Sequence, residues 1–141
     1  MKWNSTITAI GSEALDPNDN IVILFDNKAT DKLRDVAVLQ KFDEATPVEK
    51  FIFKKDDSIT IDGTTYLALY VGPMVQMNMQ AIGHATLVFT NEVPKKPMTN
   101  AIYLEKDPKE EMPKFKVGGT GSPTNIDKRG SYGCRKTSSE E

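Results

Sequence analysis

The most constraining feature of the sequence is a pair of β-rich runs, within residues 58–71, on either side of Asp62 and Gly63. A two-residue type I′ turn needs positive φ at both central positions, which Asp tolerates and Gly adopts without strain. These runs therefore predict a β-hairpin in which Ile59 lies opposite Tyr66. Strand alternation assigns to one face Ile59, Ile61, Tyr66, Ala68 and Tyr70, and to the other Leu67, Leu69 and Val71.

Short β-branched and apolar runs recur along the rest of the chain, separated by turn-forming residues. They predict strands at residues 4–10, 21–25, 36–42, 85–89 and 101–104. A helix is predicted from Pro73 to Ile82, because Val75, Met79 and Ile82 share one face and Gly83 suits a left-handed C-cap. Five to seven short strands with one short helix predict a mainly β fold, a small barrel or folded-sheet pseudobarrel.

Two segments leave alternatives open. Residues 30–35 could form one helical turn with Thr30 as its N-cap. The apolar patch at residues 51–53 is either the end of a strand or a lid over the core.

The 141 residues suit one compact domain, which we place at residues 1–117. From residue 118 to 141 the sequence has almost no core-forming residues, so this part is predicted to be a disordered tail. It contains Cys134 and the basic residues Lys128, Arg129, Arg135 and Lys136. One interpretation is a docking tail or a reactive thiol, and the simpler one is a solvated tail without a role.

Composition excludes several classes of function. One cysteine and one histidine argue against a metal site, and no glycine-rich phosphate loop is present, so no cofactor is predicted. A net charge of -2 offers no general attraction for nucleic acid. No apolar run approaches the ~20 residues that span a bilayer, and the first residues lack the apolar stretch of a secretory signal. We therefore expect a cytoplasmic protein without membrane insertion.

The single histidine, His84, has two interpretations. A neutral imidazole nitrogen is a competent nucleophile and can accept a phosphoryl group. Alternatively, the ring hydrogen-bonds a neighbouring backbone group and fixes the turn after Gly83, which is the more frequent role of a lone histidine.

The pattern Gly83-His84-Ala85-Thr86-Leu87, preceded by Val71-Gly72, resembles the glucitol/sorbitol-type enzyme IIA of the bacterial sugar phosphotransferase system. The resemblance extends to the runs at residues 5–15 and 21–25 and covers most of residues 3–104. It implies a β-barrel-like domain in a phosphoryl-transfer chain, with the phosphocarrier protein HPr and a IIB (or IIBC) permease component as partners.

The resemblance also implies where the reactive residue should be. Family members carry the phosphorylated histidine in an apolar strand of the type Phe-Ile-His-x-His, whose counterpart here is residues 38–42, with Gln40 nearest the phosphohistidine. A glutamine amide cannot accept a phosphoryl group as imidazole does, because its nitrogen lone pair is delocalised into the carbonyl.

Two hypotheses about function follow. The first is a degenerate IIA-like protein that binds partners of the phosphotransferase system without carrying phosphate. The second is an active phosphoryl carrier between HPr and IIB in sugar uptake, with His84 as the substitute acceptor. Whether the chain acts in enzymatic transfer depends on which of them holds.

Overall fold

The computed structural model describes residues 2–124. It contains eight strands: β1 (Ser5–Ile10), β2 (Ile21–Phe25), β3 (Ala37–Phe42), β4 (Ser58–Ile61), β5 (Thr64–Val71), β6 (Ala85–Thr90), β7 (Ala101–Glu105) and β8 (Thr120–Thr124). The helices are α1 (Asp31–Asp35), α2 (Val75–Ile82) and a 3₁₀ turn (Val48–Lys50). The predicted mainly β fold is confirmed, and α1 occupies the segment predicted as one helical turn, although the Thr30 side chain makes no capping hydrogen bond.

The strands form a closed barrel in the order β1-β3-β2-β6-β7-β5-β4-β8. The pairs β2–β3 and β6–β7 are parallel, and the other pairs are antiparallel. Strand β1 lies at the closing seam, where Ser5 pairs with Phe42 of β3 on one side and with Gly121 of β8 on the other. Within residues 2–124, closure leaves no edge of this sheet open to pairing with another chain.

Strand β8 differs from expectation, because residues 120–124 fall within the segment predicted as a tail. Their sequence includes glycine and proline, which are depleted in strands, so no β pattern was visible. Backbone pairing with β1 and β4 forms the strand. The remainder of the predicted tail, residues 125–141, lies outside the described residues.

The barrel interior holds the main core, and the 51–53 segment closes one end of it. Phe51 and Phe53 are buried while Ile52 is exposed, and the segment forms no strand, so the lid interpretation is correct. The Phe51 ring packs edge-on against Trp3, with centroids 5.4 Å apart, and against Phe42, at 6.0 Å. Each such buried aromatic ring stabilises the fold by roughly 1.5–3 kcal/mol.

The β4–β5 hairpin has the predicted turn and register. Asp62 and Gly63 have φ angles of 49° and 82°, and Ile59 pairs with Tyr66. Burial raises the pKa of the Tyr66 hydroxyl above its ordinary value, and the carboxylate of Glu110 adds to the effect. The phenol therefore stays protonated in neutral solution.

The face assignment holds through Leu69 and fails for Tyr70 and Val71. A β-bulge interrupts the β5–β7 register between Ala68 and Tyr70. One extra residue in a strand reverses the facing of all residues after it. Val71 consequently packs against the barrel core, whereas Tyr70 joins Leu69 in a second cluster on the outside.

Helix α2 packs on the barrel through the predicted stripe. Val75 and Met79 are buried in the main core, and Ile82 packs against a smaller cluster around Phe25. The helix begins two residues later than predicted and ends at Gly83, whose φ of 63° is left-handed, as expected. A Cβ at Gly83 would lie 2.7 Å from the Cβ of Asp26, so this position excludes side chains on steric grounds as well.

Gly83→Ala should destabilise the protein more than Gly63→Ala. Both glycines are left-handed, and an alanine there costs about 1–2 kcal/mol, but a Cβ at Gly63 meets nothing within 4 Å. The clash with Asp26 should add about 1–3 kcal/mol at Gly83. Urea denaturation of the two variants measures the difference, and equal losses would contradict the close packing of Gly83.

Candidate functional site

Gln40 points into the barrel near the end of β3. Its backbone pairs with Ile7 of β1, and alternation along β3 places it on the same face as the core residue Val38. The side chain is only 5% exposed. Its Nε2 donates to the Gly83 carbonyl oxygen at 3.3 Å and lies 3.6 Å from the Met79 Sδ, so the amide joins β3 to the end of α2.

A surface groove of about 600 Å³ reaches Gln40 from outside. We call it the Gln40 groove. It is lined by Gln40, Gly83 and Thr8, by the turn at residues 26–28, and by residues 41–44 and 47–49. This is the surface through which another molecule would approach position 40.

The charges around the Gln40 groove are mainly negative. Its lining includes four carboxylates and two ammonium groups: Asp26, Asp43, Glu44 and Glu49, with Lys28 and Lys41. The Lys28 Nζ lies 3.3 Å from the Asp26 Oδ2, and this exposed pair contributes little to stability. The carboxylates of the 43–49 segment therefore set the negative charge at the opening of the groove.

His84 is fixed on three sides and is not among the described residues that line the Gln40 groove. Its Nδ1 lies 3.0 Å from the Leu24 carbonyl oxygen, which can only accept, so Nδ1 carries the proton. The Asn100 Nδ2 lies 3.1 Å from Nε2 and donates to it. The ring also stacks on Phe25, with centroids 4.2 Å apart and planes inclined by 18°.

The other residues of the Gly-His-x-Thr-Leu pattern also have structural contacts. Gly83 ends α2, the Thr86 backbone N–H donates to the Asn100 carbonyl oxygen at 3.0 Å, and Leu87 is buried in the barrel core. The structure thus brings Gln40 and Gly83 together at the groove. The His84 ring lies instead between β2 and Asn100.

Asn100 and Phe25 were not identified from the sequence as neighbours of His84. Asn100 precedes β7 at the end of a proline-containing connection, and no sequence spacing associates it with a histidine sixteen residues earlier. Phe25 ends the apolar run at residues 21–25, which the sequence predicts only as a strand. Only the parallel and antiparallel pairing of β2, β6 and β7 brings the three residues together.

Neither a metal cluster nor a membrane-spanning helix occurs in the described part of the chain. Residues 2–124 contain no group of three or more His, Cys, Asp or Glu side chains that could hold a metal ion. No helix among them is both long and apolar enough to cross a membrane. Cys134 lies outside the described residues.

Comparison with known proteins identifies the family. The family model of the phosphotransferase system (PTS) glucitol/sorbitol-specific IIA component matches residues 2–120. The chain belongs to this family. A crystal structure of the PTS system IIA component from Enterococcus faecalis V583 is similar to this IIA-family chain, with 31% identity and a TM-score of 0.77. The similarity covers 86% of this chain and 99% of that one. No curated protein matches significantly.

The family match has a clear extent within this IIA-family chain. It includes β1 to β7, the whole Gln40 groove and the His84 contacts, and it ends at the first residue of β8. Residues 121–141 therefore lie beyond it.

The contact between His84 and Asn100 should be measurable as coupling in stability. In a cycle of His84→Ala, Asn100→Ala and the double variant, we expect a coupling free energy of about 0.5–1.5 kcal/mol, since each single change removes the same hydrogen bond. Urea denaturation gives the four free energies of unfolding.

Asn20→Ala supplies the matched control for this cycle. The Asn20 Nδ2 donates to the Phe89 carbonyl oxygen at 2.9 Å and not to His84. Its effect should add to that of His84→Ala. If the effects of Asn100→Ala and His84→Ala on the free energy of unfolding are also additive, the contact between these residues contributes nothing to stability.

Proposed function

We propose that this IIA-family chain acts in the cytoplasm by binding HPr and a IIB (or IIBC) component without carrying a phosphoryl group. The observation that carries the proposal is the amide at Gln40, the position nearest the family's phosphohistidine, at the inner end of an open groove. The fold and the approach to the site are present, whereas the nucleophilic histidine of the family pattern is replaced by a side chain that cannot accept a phosphoryl group.

The environment of Gln40 supports a structural role for the amide. Its Nε2 donates to the Gly83 carbonyl oxygen, so it holds α2 against β3. In the same alignment, Phe42 stands where the Phe-Ile-His-x-His pattern has its second histidine. Phe42 packs against the barrel core and the Phe51 ring. Both pattern positions are thus occupied by side chains that pack or join elements.

The contacts of His84 argue against the alternative of a substitute acceptor. Attack on phosphorus requires a free nitrogen lone pair, and the Nε2 lone pair accepts the Asn100 N–H while Nδ1 donates to Leu24. The Phe25 ring covers one face of the imidazole. To carry phosphate, His84 would have to break at least one of these contacts.

The charge of the Gln40 groove supports binding over carrying. A phosphoryl group has a charge of about -1.5 to -2 at pH 7. Asp43, Glu44 and Glu49 would repel it, and only Lys28 and Lys41 among the groove residues would attract it. The same carboxylates favour a partner surface that presents cations.

Incubation with phosphoenolpyruvate, enzyme I and HPr should leave the wild-type chain without an acid-labile phosphoryl adduct. The variant Gln40→His/Phe42→His should acquire one, because it places imidazoles at both pattern positions in the groove. Lys55→His is the matched control. Residue 55 is exposed and is not among the residues that line the Gln40 groove, so its imidazole should remain unlabelled.

Binding is measured in the same samples by titrating isotope-labelled protein with HPr or IIB. We expect saturable shifts of amide signals around the Gln40 groove, unchanged in His84→Ala. Label on the wild-type chain that disappears in His84→Ala would establish the carrier instead. Absence of binding to both partners would exclude the binding role.

A further inference from the structure

The segment Lys128–Lys136, which lies outside the described residues, has a composition that complements the Gln40 groove. It contains Lys128, Arg129, Arg135 and Lys136 and no acidic residue. The groove presents Asp43, Glu44 and Glu49 around its opening. We propose that this segment binds in the Gln40 groove of its own chain and competes there with any partner that approaches Gln40.

The strand register places the origin of the segment beside the groove. Ser5 of β1 pairs with both Phe42 and Gly121. Phe42 and Gly121 therefore lie at the same height along the barrel, two strand spacings apart, or about 10 Å. Strands β3 and β8 are both antiparallel to β1 and therefore run in the same direction. Thr124 accordingly leaves the barrel at the end where the 43–49 wall of the groove begins.

The chain beyond Thr124 is long enough to reach the groove. Lys128 is the fourth residue after Thr124, and four residues of extended chain span up to about 14 Å. Lys136 is the twelfth residue after Thr124, with a reach of up to about 40 Å. A tethered segment of this length has an effective concentration near its site of roughly millimolar, so weak contacts are enough for occupancy.

The groove offers more than negative charge. Gln40 is more than nine-tenths buried and lines the groove, and within residues 2–124 no donor to its Oε1 is found. This oxygen is an acceptor for an incoming lysine or arginine N–H. Phe42, Pro47 and Val48 supply apolar lining, against which the one aromatic ring of the segment, Tyr132, can pack.

The family match ends at residue 120, so Lys128–Lys136 lies beyond the matched part, while the groove lies wholly within it. A basic segment that occupies the groove would lower the affinity for partners until it is displaced. The proposal does not depend on which partner that is.

The single cysteine, Cys134, allows a direct test in the full chain, because a nitroxide spin label can be attached within the segment alone. We expect paramagnetic broadening of the amide signals of Asn27, Asp43, Glu44 and Glu49. The broadening should be lost in Lys128→Gln/Arg129→Gln/Arg135→Gln/Lys136→Gln. It should also be lost in Asp43→Asn/Glu44→Gln/Glu49→Gln. Raising NaCl to about 0.5 M should reduce it, because the Debye length then falls below about 5 Å.

A second groove, in which the charges balance, provides the internal control. Its lining includes Asp16, Asp19, Lys114 and Lys116, and it lies beside the start of β2, at the opposite end of the barrel from Phe42. Its amide signals should not broaden, and Asp16→Asn/Asp19→Asn should leave the broadening at the Gln40 groove intact.

Three results would overturn the proposal. The first is no broadening at the Gln40 groove, and the second is broadening there that survives the charge-neutralising substitutions. The third comes from a mixture in which one set of chains has the spin label without isotope enrichment and the other has isotope enrichment without the spin label. Broadening in that mixture would have to pass between chains. The third would assign the contact to a second copy. No partner protein enters this experiment, so failure here leaves the binding function standing, and failure to bind HPr or IIB leaves this contact standing.

Discussion

The junction between the end of α2 and the end of β2 is the contact on which the site depends. The Asp26 backbone N–H donates to the Ile82 carbonyl oxygen at 3.0 Å, and this approach is possible because Gly83 has no Cβ. The Gly83 carbonyl oxygen then accepts from Gln40. His84 continues from this point toward the Leu24 carbonyl oxygen. One close backbone contact therefore sets the positions of both candidate residues.

Local features of this fold could be predicted from the sequence, while features set by distant pairing could not. Asp62 and Gly63 determine their turn through their own φ preferences, and Gly83 does the same for the helix end. Strand β8 depends on pairing with β1, more than a hundred residues earlier, and its own residues have low β-propensity. The bulge at Leu69 and the Asn100 partner of His84 likewise depend on packing between elements.

Under the proposed binding role, the contrast between Gln40 and His84 explains how the family fold would keep its shape without carrying a phosphoryl group. A glutamine donates a hydrogen bond as an imidazole N–H does, so it can join β3 to α2, but it has no nucleophilic lone pair. The remaining imidazole has its nitrogens committed to Leu24 and Asn100. Among the described residues, His84 uses its ring nitrogens for structural hydrogen bonds, whereas a phosphoryl carrier would need one of them free.

The most direct measurement of this central claim is the nitrogen NMR spectrum of the His84 ring in neutral solution, which is unambiguous because the chain has one histidine. The contacts predict a single tautomer with the proton on Nδ1 and an unprotonated, hydrogen-bonded Nε2, and loss of that hydrogen bond in Asn100→Ala. A ring with its proton on Nε2, or one that exchanges freely between tautomers as in an exposed imidazole, would contradict the structural role of His84.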